Sequence, residues 1–196
     1  MLSDMTDAAA PLRLVAGLGN PGPRYARTRH NLGFMAVDEV ARRAGLQFSV
    51  RGTAAQVRHG NVLLLKPLNF MNRSGAEIQA ALTRQRLQPE NLLVVHDDLD
   101  LELGRLRFRF GGSSGGQRGV QDTIARTGRD FWRLKLGIGG TPAGWETSRW
   151  VLSRFREDER DLLDSVVAAA AEAVELALAD GPERAANHFN GLRLGD

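Results

Sequence analysis

The 196-residue chain contains no cysteine, which excludes disulfides, thiolate metal sites and a cysteine nucleophile. Lysine is nearly absent as well: Lys66 and Lys135 are the only two, so almost all positive charge is guanidinium. No apolar run approaches the roughly 20 residues that a membrane-spanning helix requires. The first ten residues lack the basic start and apolar stretch of a secretory signal. They read as a disordered extension, residues 1–10, ahead of a single domain over residues 11–196. These absences predict a soluble, cytoplasmic protein.

A hydrophobic content of 42% can support a sizeable core in one domain of this length. The formal net charge is +3. Guanidinium groups bind phosphate through a planar fork, so this balance permits a nucleic-acid partner. Codon bias in a GC-rich genome would raise the arginine count equally well. Placement along the chain has to decide between the two.

Leu12 to Ala16 reads as a buried strand, and Asn31 reads as the cap of a helix running to Ala44 before Gly45. Three short strands are predicted over 47–51, 54–58 and 62–66. Ser74 and Glu77 have the spacing of a capping box that opens a helix to about Leu87. Leu92 to Val95 is a further buried strand, followed by His96-Asp97-Asp98. Arg105 to Phe110 alternates strictly, with Arg105, Arg107 and Arg109 on one face. A glycine-rich loop (111–119) and a short helix to Thr127 follow. The strand over 132–138 sends Arg133 and Lys135 to one face. Helices over 157–180 and up to Asn190 complete the pattern. Strands alternating with helices predict an α/β fold, and the hairpin-like spacing between residues 47 and 66 predicts a mixed sheet.

The densest cluster of chemistry is Gly17-Leu-Gly-Asn20-Pro-Gly22-Pro-Arg-Tyr25 with Thr28-Arg-His30-Asn31. Its G-x-G-x-x-G spelling suggests a dinucleotide loop. Pro21 and Pro23 delay the helix, however, and Asp38 and Glu39 fall inside that helix instead of ending a second strand, which argues against a Rossmann site. Gly111 to Gly115 satisfies G-x-S-x-G around Ser113, yet only His188 follows it, and the run is dominated by glycine. His96, Asp97, Asp98, Asp100 and Glu102 match neither a calcium loop nor a zinc spacing. A histidine base remains: ligands of α/β sheets gather at strand carboxyl ends, which predicts His30 and Asp97 in one cleft. The same two residues also read as a helix cap and a strand-end turn. Two basic strand faces could form a phosphate-binding patch or a merely solvated one.

Taken together, the segments Gly17 to Gly22, Tyr25, Thr28 to Asn31, Lys66 to Gly75, His96 to Asp100, the glycine-rich loop and Leu136 to Gly139 resemble bacterial peptidyl-tRNA hydrolases. The resemblance implies a monomeric α/β domain with a mixed, twisted sheet flanked by helices. It also implies hydrolysis of the ester joining a peptide to the 3′ end of tRNA, with neither metal nor cofactor. On that basis His30 is the base, Asp97 its orienting carboxylate, and Asn20 and Asn72 the amides that discriminate and position substrate. Tyr25, Phe70 and Met71 correspond to residues lining the substrate cleft. Arg109 and Lys135 fall where the family holds the tRNA 5′ phosphate. The chain departs from the family's usual His-Asn at Gln117-Arg118, which become tRNA-contact candidates of altered chemistry. That departure admits an alternative, an RNA-binding member of the fold that is catalytically weak or inactive.

Overall fold

The computed structural model describes residues 10–195. The predicted extension at residues 1–10 lies outside the described residues except for Ala10. Seven strands form one sheet in the order β2-β3-β4-β1-β5-β7-β6. They are β1 (Leu14–Gly17), β2 (Ser49–Arg51), β3 (Ala54–His59), β4 (Val62–Pro67), β5 (Leu92–Asp98), β6 (Leu106–Phe110) and β7 (Trp132–Gly137). The four central strands β4, β1, β5 and β7 run parallel, whereas the pairs β2–β3, β3–β4 and β6–β7 are antiparallel. The predicted α/β class and mixed sheet are what the structure has.

Parallel strands covered on both faces should be apolar almost continuously, and β1 and β5 are buried along their whole length. Alternation along each strand then splits the core in two. Val15, Leu93, Val95 and Leu134 face α1 (Leu32–Arg43), α5 (Arg160–Asp180) and α6 (Pro182–Phe189). Leu14, Ala16, Leu92 and Val94 face α2 (Ser74–Gln85) and α3 (Arg118–Thr127).

Gly17 and the nearby Gly33 serve packing. A Cβ on Gly33 would sit 2.3 Å from the Val95 carbonyl oxygen, and one on Gly17 would sit 2.5 Å from the Gly33 carbonyl oxygen. Only glycine lets the first turn of α1 approach the β1 and β5 backbones so closely. The chain leaves β1 through α1 on one face and returns to β4; it then leaves β4 through α2 on the other face and enters β5. A crevice opens at the carboxyl ends of these strands, where the connections diverge.

Several local expectations change. Asn31 precedes α1 but makes no capping hydrogen bond; its amide instead holds the backbone of Asn20. The Ser74–Glu77 capping box does not form. The Ser74 hydroxyl donates to the Met71 carbonyl at 2.8 Å, and Glu77 accepts from Thr53 and Asn69. Arg133, predicted on an open basic face, is buried because its guanidinium donates to the carbonyls of Gly112 and Ser113 in the glycine-rich loop. A five-residue helix, α4 (Thr147–Val151), has no counterpart in the sequence reading.

Candidate active site

A cleft of about 420 Å³ lies at these strand ends and is lined by Asn20, Tyr25, His30, Phe70, Met71, Asn72, Asp97 and Gln117, among others. The lining residues arrive on several different connections. Asn20 and Tyr25 follow β1, His30 occupies a 3-10 turn (Arg29–Asn31), Phe70 to Asn72 follow β4, Asp97 is the last residue but one of β5 and Gln117 precedes α3.

His30 and Asp97, 67 positions apart, meet through Nδ1 and Oδ2 at 2.9 Å, with both side chains largely buried. A carboxylate only accepts, so Nδ1 carries the proton and Nε2 is left with its lone pair for a base's work. His96, the next residue before Asp97, is a different kind of histidine. Its Nδ1 donates to the Asp97 carbonyl at 2.7 Å, and burial pushes its pKa down despite the carboxylates of Asp97 and Asp98 nearby. It is held neutral inside the sheet.

Asn20 is fixed at three points. Asn31 Oδ1 accepts from its backbone N–H, and Asn31 Nδ2 donates to its carbonyl, both at 2.9 Å. Its own Oδ1 accepts from the Met71 N–H at 2.8 Å. With the oxygen committed, the Nδ2 donor is what the side chain retains for a ligand. Asn72 is exposed at the cleft, one residue after buried Met71. Tyr25 and Phe70 meet edge to face with centroids 6.3 Å apart, and Phe70 remains 58% exposed, an apolar rim beside the polar floor.

The remaining wall is α4, which contributes Thr147, Ser148 and Val151, followed by Leu152. Arg29, adjacent to His30 and fully buried, anchors this wall. Its guanidinium lies 3.8 Å from the Trp150 ring centroid, pairs with Glu159 at 2.7 Å and donates to the Ser153 hydroxyl at 3.3 Å. The sequence offered no signal for Arg29 beyond its place beside His30, and a helix as short as α4 shows no periodicity. Ser114 lines the cleft and Ser113 does not, which disposes of the serine-elbow reading. Among the described residues no cluster of histidine, aspartate and glutamate is placed to hold a metal ion. Asp98, for example, is taken up by Lys135 at 2.6 Å and by the Asp100 N–H at 2.7 Å.

A family model described as peptidyl-tRNA hydrolase matches residues 14–195. The peptidyl-tRNA hydrolase of Desulfitobacterium hafniense is 44% identical, over 91% of this chain and all of its own length. That of Thermus thermophilus is 47% identical, over 92% of this chain and 97% of its own. The crystal structure of peptidyl-tRNA hydrolase from Acinetobacter baumannii aligns with a TM-score of 0.84 and 32% identity, covering 93% of this chain and 96% of that one.

The chain belongs to the peptidyl-tRNA hydrolase family.

Peptidyl-tRNA hydrolase activity, cleavage of the ester between peptide and tRNA, is therefore the activity of this chain. Membership of the family does not favour the inactive alternative. Of the residues singled out for tRNA contact, Gln117 and Arg118 line the cleft, whereas Arg109 and Lys135 lie on β6 and β7. Arg109 stands directly opposite Arg133, and Arg107 opposite Lys135, so the two basic strand faces do adjoin. Arg107 and Arg109 are exposed. Arg133 is not, and burial, reinforced by Arg109 and Arg129, pushes its pKa down to about 10. Lys135 is drawn to Asp98. Arg118 is exposed at the cleft's edge, whereas Gln117 is turned inward.

Proposed function

We propose that His30 Nε2 removes a proton from a water held in the cleft. The resulting hydroxide attacks the carbonyl carbon of the peptidyl ester. The amide groups of Asn20 and Asn72 donate to the peptide backbone and to the developing oxyanion. The bond to the ribose oxygen then breaks, and the imidazolium returns its proton to that oxygen. Asp97 keeps the imidazole in the tautomer that leaves Nε2 basic and stabilises the imidazolium formed in between. A ribose oxygen is a better leaving group than an amide nitrogen, so one base and an oxyanion site suffice. Tyr25, Phe70 and Met71 provide the apolar rim for the substrate's 3′ end and peptide. Arg109, Lys135 and Arg118 hold phosphates of the acceptor stem, Lys135 by exchanging its carboxylate partner for a phosphate, and these contacts position substrate without reading sequence. The family resemblance also implies a monomer, and the absence of cysteine suits the cytoplasm.

The observation that carries this reading is the 2.9 Å His30–Asp97 contact inside a cleft that also holds Asn20 and Asn72. Single-turnover release of peptide from purified peptidyl-tRNA tests it. His30→Ala should slow release by roughly 10²- to 10⁴-fold. An unchanged rate would remove His30 from the mechanism.

A further inference from the structure

Gln117 is where the chain departs from the family's usual histidine, and its amide has only one workable orientation. Oε1 accepts from the Val120 N–H at 2.8 Å, closing the first turn of α3. Nε2 lies 3.1 Å from Asp97 Oδ1 and 3.1 Å from Met71 Sδ. Turning the amide over would set NH₂ against an N–H and oxygen against a carboxylate, so each end fixes the other. At 9% exposure the group is spent internally. Both oxygens of Asp97 are thus engaged, Oδ2 by His30 and Oδ1 by Gln117.

We propose that Gln117 is a positioning residue of the hydrolytic reaction, holding the Asp97 carboxylate from the side opposite His30 and so coupling the imidazole's orientation to the start of α3. The proposal rests on the reading of His30 as base. A carboxylate with one oxygen free can rotate about its last bond and swing the imidazole with it. One clamped at both oxygens cannot, and a base must hold its geometry closely to act. Gln117 also ends the glycine-rich loop, four of whose glycines, Gly111, Gly112, Gly115 and Gly116, have positive φ. The clamp therefore links that loop to the reacting pair. Glutamine is uncommon as an N-cap, where shorter side chains serve better. Its extra methylene is what allows one side chain to reach both Val120 and Asp97.

Two variants separate this role from simple capping. Gln117→Asn preserves, or improves, an N-cap but is too short to span both partners. Gln117→Met fills the volume and keeps neither bond. Peptide release from peptidyl-tRNA would be followed over pH for wild type, both variants and His30→Ala, together with thermal unfolding. Both variants should lose about tenfold in kcat, the scale of one hydrogen bond to a charged group, with KM within about twofold. The acid limb of kcat/KM should move to higher pH in both, because Asp97, relieved of a donor, turns more of its charge on the imidazole. The neighbouring Asp98–Lys135 pair and buried His96 are common to all four proteins. The unfolding midpoint should fall in Gln117→Met only. Wild-type kcat and acid limb in Gln117→Asn would show that Gln117 is a cap and nothing more. If His30→Ala retains the wild-type rate, the base assignment itself fails, and that result is distinct from any outcome at position 117.

Discussion

Asn31 clasps the backbone of Asn20 at both its amide and its carbonyl, each at 2.9 Å. Two consecutive polar residues thus divide the work: His30 faces Asp97, while Asn31 fixes the amide-bearing turn of Asn20. Asn31→Asp keeps the shape but replaces the donor to the Asn20 carbonyl with an oxygen, setting acceptor against acceptor. A stability loss of about 1–3 kcal/mol is expected from the buried mismatch. Peptidyl-tRNA turnover should fall with it as Asn20 shifts. Denaturant unfolding and single-turnover assays on the same preparation would check both.

The clearest pH signature belongs to Asp97. Replacing it with asparagine removes the negative charge that favours the imidazolium and allows the wrong tautomer of His30. The rate should fall, and the acid limb of the kcat/KM profile should move to lower pH. This direction is opposite to that expected for the Gln117 variants. A profile with an unmoved limb would exclude Asp97 from the reaction.

Arg29 and Glu159 lead to a prediction about acid stability. Burial alone would raise the Glu159 pKa, but hydrogen bonds from Arg29 and from the Arg156 N–H, with the charges of both arginines, hold it below its ordinary value. A carboxyl depressed in the folded state contributes stability above its unfolded pKa and loses it as pH falls through the folded one. Glu159→Gln should therefore be less stable than wild type near neutrality, and the difference should shrink below about pH 4.5, the ordinary glutamate value. Arg29→Met, which takes the buried guanidinium from Glu159, leaves it Arg156 alone and removes the stack on Trp150, should cost about 2–3 kcal/mol. Thermal unfolding across pH measures both.

If Arg107 and Arg109 contact phosphates, affinity for tRNA should fall steeply with salt and vary little between tRNA sequences. Removing either by alanine substitution should lower the slope of log K against log salt by about one. Unchanged slopes in both would assign these arginines to a solvated sheet edge. Filter binding over a salt series distinguishes the outcomes.

Much of the architecture was legible because periodicity is a local signal. The alternation from Arg105 to Phe110 placed β6, and the apolar run from Leu92 placed β5, though pairing with β7 carried it on to Asp98. What alternation cannot tell is what covers a face. Arg133 and Lys135 share a side of β7, yet one lies under the carbonyls of a loop 20 or more positions away and the other pairs with Asp98. Asn31 and Ser74 sit at helix starts where capping is the usual use of such side chains, but Asn20 and the Met71 carbonyl took their hydrogen bonds. The meeting of His30 with Asp97 followed from the strand-end rule and the family resemblance, since nothing local joins them. The inward turn of Gln117 could not be read at all, because it depends on the placement of α3 against β5.

The anchoring of α4 bears on how a bulky substrate enters. Arg29 joins the His30 turn to Trp150, Ser153 and Glu159, and the backbone adds a bond from Arg29 N–H to the Ser153 carbonyl at 2.9 Å. One jaw of the cleft is bolted to the His30 turn, so it cannot swing aside without carrying the imidazole along. Room for a nascent chain of any sequence must come from the other jaw, from the glycines ahead of Gln117, since Gln117 itself is tied to Asp97.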